Sequence, residues 1–197
     1  MKNLNQYLRE SILDDEDVII SQTHVDLIYN FIEKHYNVKM DKIDIQEKNG
    51  EYFVTVFNSI YVKNDISREL KSLTNGLFKF ERVIDVFDIE GCEKLESLEG
   101  APSQAGIFQC GKCTKLKSLE GAPERCGIFD CSGCKSLKSL QGMPQNIVYD
   151  CNFSGCNKIK DLKYLPNKVG GDVIAPKQFD VNDIKKVCKV AGDIIIK

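Results

Sequence analysis

The sequence predicts an α/β repeat fold, a short parallel β-solenoid in which coils of about 21 residues stack on one another. Three observations predict it. Cysteine recurs at a nearly constant spacing, leucine follows it at offsets of three and six residues, and proline follows at an offset of ten. Four of the five prolines occupy this one repeat position. A single coil of this length cannot bury its apolar side, so the pattern favours stacked coils.

Most positions of the repeat hold the same or a similar residue in at least three of the four coils. The columns are Phe87, Phe108, Phe129 and Cys151; Ile89, Cys110, Cys131 and Phe153; Cys92, Cys113, Cys134 and Cys156; Leu95, Leu116, Leu137 and Ile159; Leu98, Leu119, Leu140 and Leu162; Gly100, Gly121, Gly142 and Tyr164; and Pro102, Pro123, Pro144 and Pro166. The first two columns alternate with polar residues, as a half-buried strand requires. The Gly-x-Pro positions predict the end of regular structure.

The array is expected to extend beyond its four clearest coils. Residues 59–62 fit an earlier strand, with Leu70, Leu73 and Phe80 in the connection that follows. Residues 168–173 fit a later strand. The step from Cys134 to Cys156 is longer by one position than the steps before it, which predicts a single inserted residue near positions 146–150.

The ends are expected to cap the array, because its outer coils expose apolar edges. Residues 1–58 predict an α+β N-terminal cap, with helices over 3–13 and 23–36 and a hairpin around Asn49-Gly50. Residues 59–176 form the solenoid, with the clearest repeats over 85–166. Residues 177–197 predict a C-terminal helical cap, with a helix over 180–191 and an edge strand at 194–196.

The stretches GIFDCSGCKSLKSLQGMP and KVGGDV resemble the leucine-rich-repeat-like arrays of tailed phages and some bacteria. The resemblance covers roughly residues 52–175. It implies a solenoid of leucine-rich-repeat type and a binding role, and it brings no catalytic residues. The repeat departs from the common consensus by placing cysteine where asparagine often occurs.

Charge and composition limit the classes of function. The formal net charge is −2, with −5 in residues 1–58 and +3 in the remainder. The N-terminus lacks a signal-peptide pattern, and no apolar run reaches the roughly 18 residues of a membrane span. We therefore expect a soluble cytoplasmic protein with no membrane association, in the host cytoplasm if phage-encoded, and nine reduced cysteines.

The spacing Cys110-x-x-Cys113, seventeen residues, Cys131-x-x-Cys134 fits a four-cysteine zinc site. The repeat offers another interpretation, because the column of Cys110 and Cys131 also holds Ile89 and Phe153 and is therefore an apolar core position. An extended strand would also separate Cys110 from Cys113 by about 10 Å. We predict core cysteines and no metal or other cofactor, with zinc and inter-coil disulfides as alternatives.

No convergent catalytic set is visible in the sequence. The two histidines, His24 and His35, lie in the predicted helical region and suit surface or capping roles. A cysteine nucleophile would need one of them as a nearby base. The acidic run Asp14–Asp17 is typical of a solvated loop or a helix terminus. The sequence predicts no enzyme.

Two surface columns are candidate partner-binding sites. The outward strand column is Asp88, Gln109, Asp130 and Asn152, beside Glu90, Gly111, Ser132 and Ser154. The second is a basic stripe of Lys117, Lys138 and Lys160, which starts at Glu96 and is flanked by Lys94, Lys115 and Lys158. We expect a non-enzymatic protein–protein interaction module, as a monomer or weak homodimer, and the resemblance implies a phage protein that modulates a host factor. The alternatives are a nucleic-acid-binding module that uses the lysine stripe and a zinc-stabilised structural module.

Overall fold

A computed structural model describes residues 19–62 and 70–197. It is a parallel β-solenoid of about five turns with a repeat of about 21 residues, as the repeat predicts. Its strands form one continuous sheet. The predicted helix over residues 3–13 and the acidic run Asp14–Asp17 lie outside the described residues.

The regular elements have the following bounds. In chain order they are α1 (Ile19–Tyr36), β1 (Ile43–Lys48), β2 (Glu51–Val56), β3 (Ile60–Tyr61), β4 (Lys79–Asp88), β5 (Gln104–Gln109), β6 (Arg125–Asp130), β7 (Asn146–Ile147), β8 (Cys151–Asn152), β9 (Lys168–Val169), β10 (Val173–Ala175), α2 (Val181–Val187), β11 (Lys189–Val190) and β12 (Ile194–Ile196). Short 3₁₀ segments cover Met40–Lys42 and Leu70–Thr74. The main path of the sheet runs β1-β2-β4-β5-β6-β7-β9-β11, and the short strands β3, β8, β10 and β12 extend it beside this path.

The N-terminal hairpin is confirmed. Strands β1 and β2 pair antiparallel from Ile43 to Lys48. Their turn residues Asn49 and Gly50 have φ values of 56° and 77°, the left-handed conformation that an Asn-Gly hairpin turn needs. On its other side β2 pairs in parallel with β4, so the hairpin continues into the sheet of the solenoid. The helix predicted over 23–36 is also present and begins earlier, at Ile19.

The coils stack in register. Phe87 pairs with Phe108, and Phe108 with Phe129, across β4, β5 and β6. Their rings are fully buried and lie nearly parallel, with centroids 5.6 and 5.8 Å apart. The predicted early strand is β3, which pairs with the end of β4. The placement of Phe80 in the connection is wrong: β4 starts at Lys79, because Phe80 pairs with Val54 and adds an apolar residue to the core.

The inserted residue lies where the sequence places it. Cys126 pairs with Ile147 at the ordinary repeat spacing, whereas Phe129 pairs with Cys151, one position beyond that spacing. The extra residue therefore falls between Ile147 and Cys151, and the exposed Val148 and Tyr149 occupy this gap.

One coil later, the single strand predicted over 168–173 is wrong. The segment is divided into β9 and β10 because the chain bends at Gly170 and Gly171, as it does at Val148 and Tyr149 in the coil before. Both glycines hydrogen-bond to the preceding coil through their backbone N–H groups, which donate to the carbonyl oxygens of Ile147 and Tyr149.

The C-terminal helix is shorter than predicted. The sequence pattern indicates a helix over 180–191, but α2 ends at Val187 and Cys188 is its C-cap. Lys189 and Val190 leave the helix because they pair in parallel with Lys168 and Val169 of β9. The predicted edge strand at Ile194–Ile196 is confirmed and pairs with β10.

Candidate interaction surfaces

The cysteines of the repeat form a ladder of thiol hydrogen bonds inside the solenoid. The thiols of Cys113, Cys134 and Cys156 donate to the carbonyl oxygens of Ile89, Cys110 and Cys131, one coil back, at 3.3, 3.2 and 3.1 Å. A thiol is a weak donor that also packs as a small apolar group. These cysteines therefore satisfy the carbonyls that face the core at the end of each strand.

All nine cysteines are free and at most 3% exposed. Burial raises the pKa of Cys126 to about 12, and it raises the pKa of Cys113 and Cys151 well above the ordinary value. The nucleophilic form of cysteine is the thiolate, which these surroundings disfavour. The geometry therefore suits structural thiols.

The four cysteines with zinc spacing are brought near one another, but they lie in two different columns. Cys113 and Cys134 belong to the thiol ladder, and Cys110 and Cys131 supply two of its carbonyl acceptors. The expected extended path from Cys110 to Cys113 is wrong, because the chain turns at Gly111 and at Lys112, whose φ is 58°. Within residues 19–62 and 70–197, no group of three or more histidine, cysteine, aspartate or glutamate side chains has the arrangement of a metal site.

The predicted polar column is in register along the outer face of the strands. Asp88 pairs with Gln109, Gln109 with Asp130, and Asp130 with Asn152. All four side chains are half-buried, and three of them also build turns. The Oδ1 atoms of Asp88, Asp130 and Asn152 accept the backbone N–H two residues later, at 2.8, 2.7 and 3.1 Å.

Several side chains of the polar column therefore form hydrogen bonds that stabilise the fold itself. Asn152 Nδ2 donates to Asp130 Oδ2 at 2.9 Å, and Ser154 Oγ donates to Asn152 Oδ1 at 2.8 Å. Local bonds of this kind are usual for Asp and Asn in turns. The spacing Asx-x-Ser in two coils is the sequence signal that could have predicted this structural role.

An apolar column beside the polar one was missed by the sequence reasoning. Val86, Ile107 and Ile128 pair with one another on β4, β5 and β6 and remain half-buried on the outer face, whereas the following phenylalanines are fully buried. Alternation with the buried phenylalanines could have revealed this column. Three further apolar residues lie nearby along the bend of the sheet: Ile84, Val148 and Tyr149 are 41%, 38% and 61% exposed. We call these six residues the apolar stripe.

The lysine stripe is divided by an ion pair. Lys117 Nζ lies 2.9 Å from Glu96 Oε2 one coil back. Lys138 and Lys160 are exposed and line a depression of about 600 Å³ together with Lys158, Gln178 and Phe179. The predicted stripe therefore presents its positive charge at its C-terminal end.

A second lysine-lined depression, of about 470 Å³, lies at the corner that follows the strands. Its lysines come from different coils and surround two serines, Ser132 and Ser154; they are Lys112, Lys177 and Lys197. Lys112 also pairs with Glu90 at 2.7 Å, and this hydrogen bond raises the pKa of Lys112.

A concavity larger than the two lysine-lined depressions lies between the N-terminal segment and the solenoid, with a volume of about 970 Å³. We call it the groove. His24 and Tyr52, whose rings stack with centroids 5.5 Å apart, lie at one side. Its apolar lining includes the buried Leu77, Phe78 and Phe80.

Both histidines lie on α1 against aromatic rings. His24 stacks on Tyr52, and His35 contacts Phe31 at a centroid distance of 4.4 Å. The expected surface or capping roles thus include aromatic packing, whereas the cysteines are buried inside the solenoid.

Comparisons of the chain with models of protein families, with curated proteins and with solved structures gave no match. Among the described residues, no helix has the length and apolar character needed to cross a bilayer.

Proposed function

We propose that this chain is a non-enzymatic protein–protein interaction module whose outer strand face binds the partner. The observation that carries the proposal is the apolar stripe, which runs beside the polar column of Asp88, Gln109, Asp130 and Asn152 on one sheet face. Protein interfaces combine an apolar centre with a polar rim that forms hydrogen bonds. In stacked repeats such a face is the usual surface for recognition.

In this proposal the apolar stripe and the polar column have different roles in binding. Ile107 and Ile128 lose water on binding and supply affinity, with the exposed Tyr149 as an aromatic anchor, a residue type enriched at interface centres. Asp130 and Asn152 each use a side-chain oxygen in a local turn. The Gln109 amide is not used in such a turn, and in this proposal it forms a specific hydrogen bond with the partner.

A photocrosslinking experiment tests this assignment. A benzophenone side chain replaces Ile107 in one variant and Ser118, on another face of the same coil, in the control. Nuclease-treated cytosolic extract is irradiated with each purified variant. One dominant protein adduct from position 107 that is absent from position 118 supports the strand face. Equal adducts from both positions contradict it.

Affinity for the captured protein then separates the columns. Ile107→Ser with Ile128→Ser is expected to weaken binding at least tenfold, which corresponds to about 1.4 kcal/mol. Lys138→Ser with Lys160→Ser is the matched control on the basic stripe and is expected to leave affinity unchanged. Circular dichroism checks that both variants are folded.

A second candidate function is binding of nucleic acid through the two lysine-lined depressions. Six lysines contribute to them: Lys112, Lys138, Lys158, Lys160, Lys177 and Lys197. Binding of this kind loses affinity steeply as salt competes for the phosphates. Titration of labelled single-stranded RNA at about 50 and about 200 mM salt tests it, and a salt-independent or absent interaction argues against it.

The proposal also includes the type of solenoid, its caps, and the origin, target and location of the protein. The chain is proposed to be a solenoid of leucine-rich-repeat type, with residues 1–58 and 177–197 as caps around residues 59–176. A phage origin, a host factor as target and a location in the host cytoplasm are proposed from the resemblance of the repeat. The repeat pattern and the parallel coils support the first of these assignments.

A further inference from the structure

The groove contains no residue of the apolar stripe and is a separate concave surface. It is lined by the first residues of β2 and β4 and by the residues immediately before β5 and β6, so it extends across the ends of four neighbouring strands. The N-terminal segment contributes Tyr52 and Phe53, and the coil corners contribute Ala101, Pro102 and Ala122. Concave sites between two parts of a protein, with an apolar lining and a few polar groups, are the usual places for ligands.

The charges of the groove are mostly negative. Four carboxylates line it, Glu51, Glu81, Glu99 and Glu124, against the single lysine Lys79. Lys79 Nζ lies 2.7 Å from Glu51 Oε1, and Lys48, outside the groove, pairs with Glu81 at 2.9 Å. Glu99 and Glu124 are exposed and have no ion-pair partner in the part of the chain that the structure describes. The groove therefore holds negative charge on its solenoid side.

The dimensions suit an extended polypeptide. Four strands separated by about 4.8 Å span roughly 14 Å. An extended chain rises about 3.3 Å per residue, so about four residues cross the groove. Alternate side chains of such a segment point the same way. One set can contact the apolar floor while the other reaches the carboxylates on the rim.

We propose that the groove binds an extended segment of a partner protein in which basic residues alternate with apolar ones. The basic side chains pair with Glu99 and Glu124 on the solenoid side. The apolar side chains lie against Phe78, Pro102 and Ala122. This site is separate from the outer strand face and does not depend on partner binding there.

Fluorescence anisotropy with defined peptides tests the proposal. The probe is a fluorescein-labelled peptide of sequence Lys-Leu-Lys-Leu-Lys-Leu, and the comparison peptide is Glu-Leu-Glu-Leu-Glu-Leu. We expect the lysine peptide to bind at least tenfold more tightly at a physiological salt concentration. Equal affinity of the two peptides would overturn the proposal. Displacement of the bound peptide by millimolar lysine amide would also overturn it, since the site would then hold a small cation only.

Variants of the chain locate the binding site. Glu99→Gln with Glu124→Gln is expected to weaken binding of the lysine peptide at least tenfold. Glu120→Gln is the matched control, because Glu120 occupies the position of Glu99 one coil later and lies outside the groove. An equal loss in the control would show unspecific attraction and refute the site. Ile107→Ser with Ile128→Ser leaves peptide binding unchanged, so the groove and the strand face can fail independently.

Discussion

Glycine sets the distance between coils at the bend of the sheet. A Cβ atom on Gly106 would lie 2.2 Å from the Ile84 carbonyl oxygen, and one on Gly127 would lie 2.4 Å from the Gly106 oxygen. On Gly170 it would lie 1.9 Å from the Val148 oxygen. The backbones approach so closely at this column that a side chain would force the coils apart.

Gly127→Ala is therefore expected to destabilise the fold. The added methyl group would separate β5 from β6 and weaken the backbone hydrogen bonds between them. By analogy with other overpacked sites, the cost is roughly 1–3 kcal/mol. Gly111→Ala is the matched control, since the nearest atoms to its Cβ would be Ser132 Oγ at 3.2 Å and Ser132 O at 3.3 Å. Urea unfolding measures both variants. An equal or smaller loss for Gly127→Ala would contradict the close-approach explanation.

The buried thiols predict that stability falls in alkaline solution. Burial raises the pKa of Cys126 to about 12, whereas the pKa of an unfolded thiol is about 8.5. Above about pH 8.5 the Cys126 thiol loses its proton in the unfolded chain but keeps it in the folded chain. The free energy of unfolding therefore decreases as pH rises towards 12. The slope for one such thiol approaches about 1.4 kcal/mol per pH unit.

Unfolding in urea under reducing conditions at pH 7.5, 8.5 and 9.5 measures this effect. The parent chain is expected to lose stability between pH 8.5 and 9.5. Cys126→Ala should lose less over the same interval, because one thiol no longer titrates on unfolding. Parallel pH profiles for the two chains would show that Cys126 does not contribute.

At the scale of an element, helix α2 depends on its first turn because it has only seven residues. Asp180 Oδ1 accepts the Asp183 N–H at 2.8 Å, and Asp183 Oδ2 accepts the Asp180 N–H at 3.2 Å. Asp180→Ala removes this reciprocal cap and is expected to cost about 1 kcal/mol. Asn182→Ala, at an exposed position of the same helix, is the control. Thermal unfolding compares the two, and similar melting temperatures would argue that the cap contributes little.

The elements that the sequence predicts well are those whose pattern is local or repeated. The hairpin at Asn49-Gly50 follows from turn chemistry, and the coils follow from columns that recur four times. The end of α2 could not be predicted in this way. Val187 and Cys188 continue a helical apolar pattern, but pairing of Lys189 and Val190 with β9 overrides it. Tertiary pairing decides such a boundary.

The candidate site is predictable only in part, for a related reason. The repeat places Asp88, Gln109, Asp130 and Asn152 in one column, but three of them also form turns, which only the Asx-x-Ser spacing of two coils indicates. The groove could not be predicted either. Its lining joins Tyr52 and Phe53 to Glu99 and Glu124, which are far apart in the chain and meet only through the pairing of β2 with β4.

At the scale of the whole molecule, position in the sequence corresponds to position along the solenoid axis. Each coil pairs with the coil before it and the coil after it, so stability is approximately a sum of coils and their interfaces. Charge follows the same axis. Residues 111–197 carry fifteen basic and nine acidic side chains, whereas the described N-terminal residues 19–58 carry four basic and six acidic ones. The lysine-lined depressions and the acidic groove therefore lie towards opposite ends.

Because the coils are equivalent, removal of one complete coil should leave a folded protein. Deletion of residues 108–128 removes one full repeat and joins Ile107 to Phe129, which restores the local sequence GIFDC. The shortened chain keeps every inward column in register, and we expect a cooperative urea transition with a smaller m-value, since less surface is buried.

Deletion of residues 108–127 is the matched control for this experiment. It leaves one residue of the coil, Ile128, in place and so shifts the following strand by one position, which turns Phe129 and Cys131 outward. We expect the control to lose the cooperative transition, because a column that is buried in the parent chain would then face water. If the two deletions behave alike, the coils are not interchangeable units and the one-dimensional description of this solenoid is wrong.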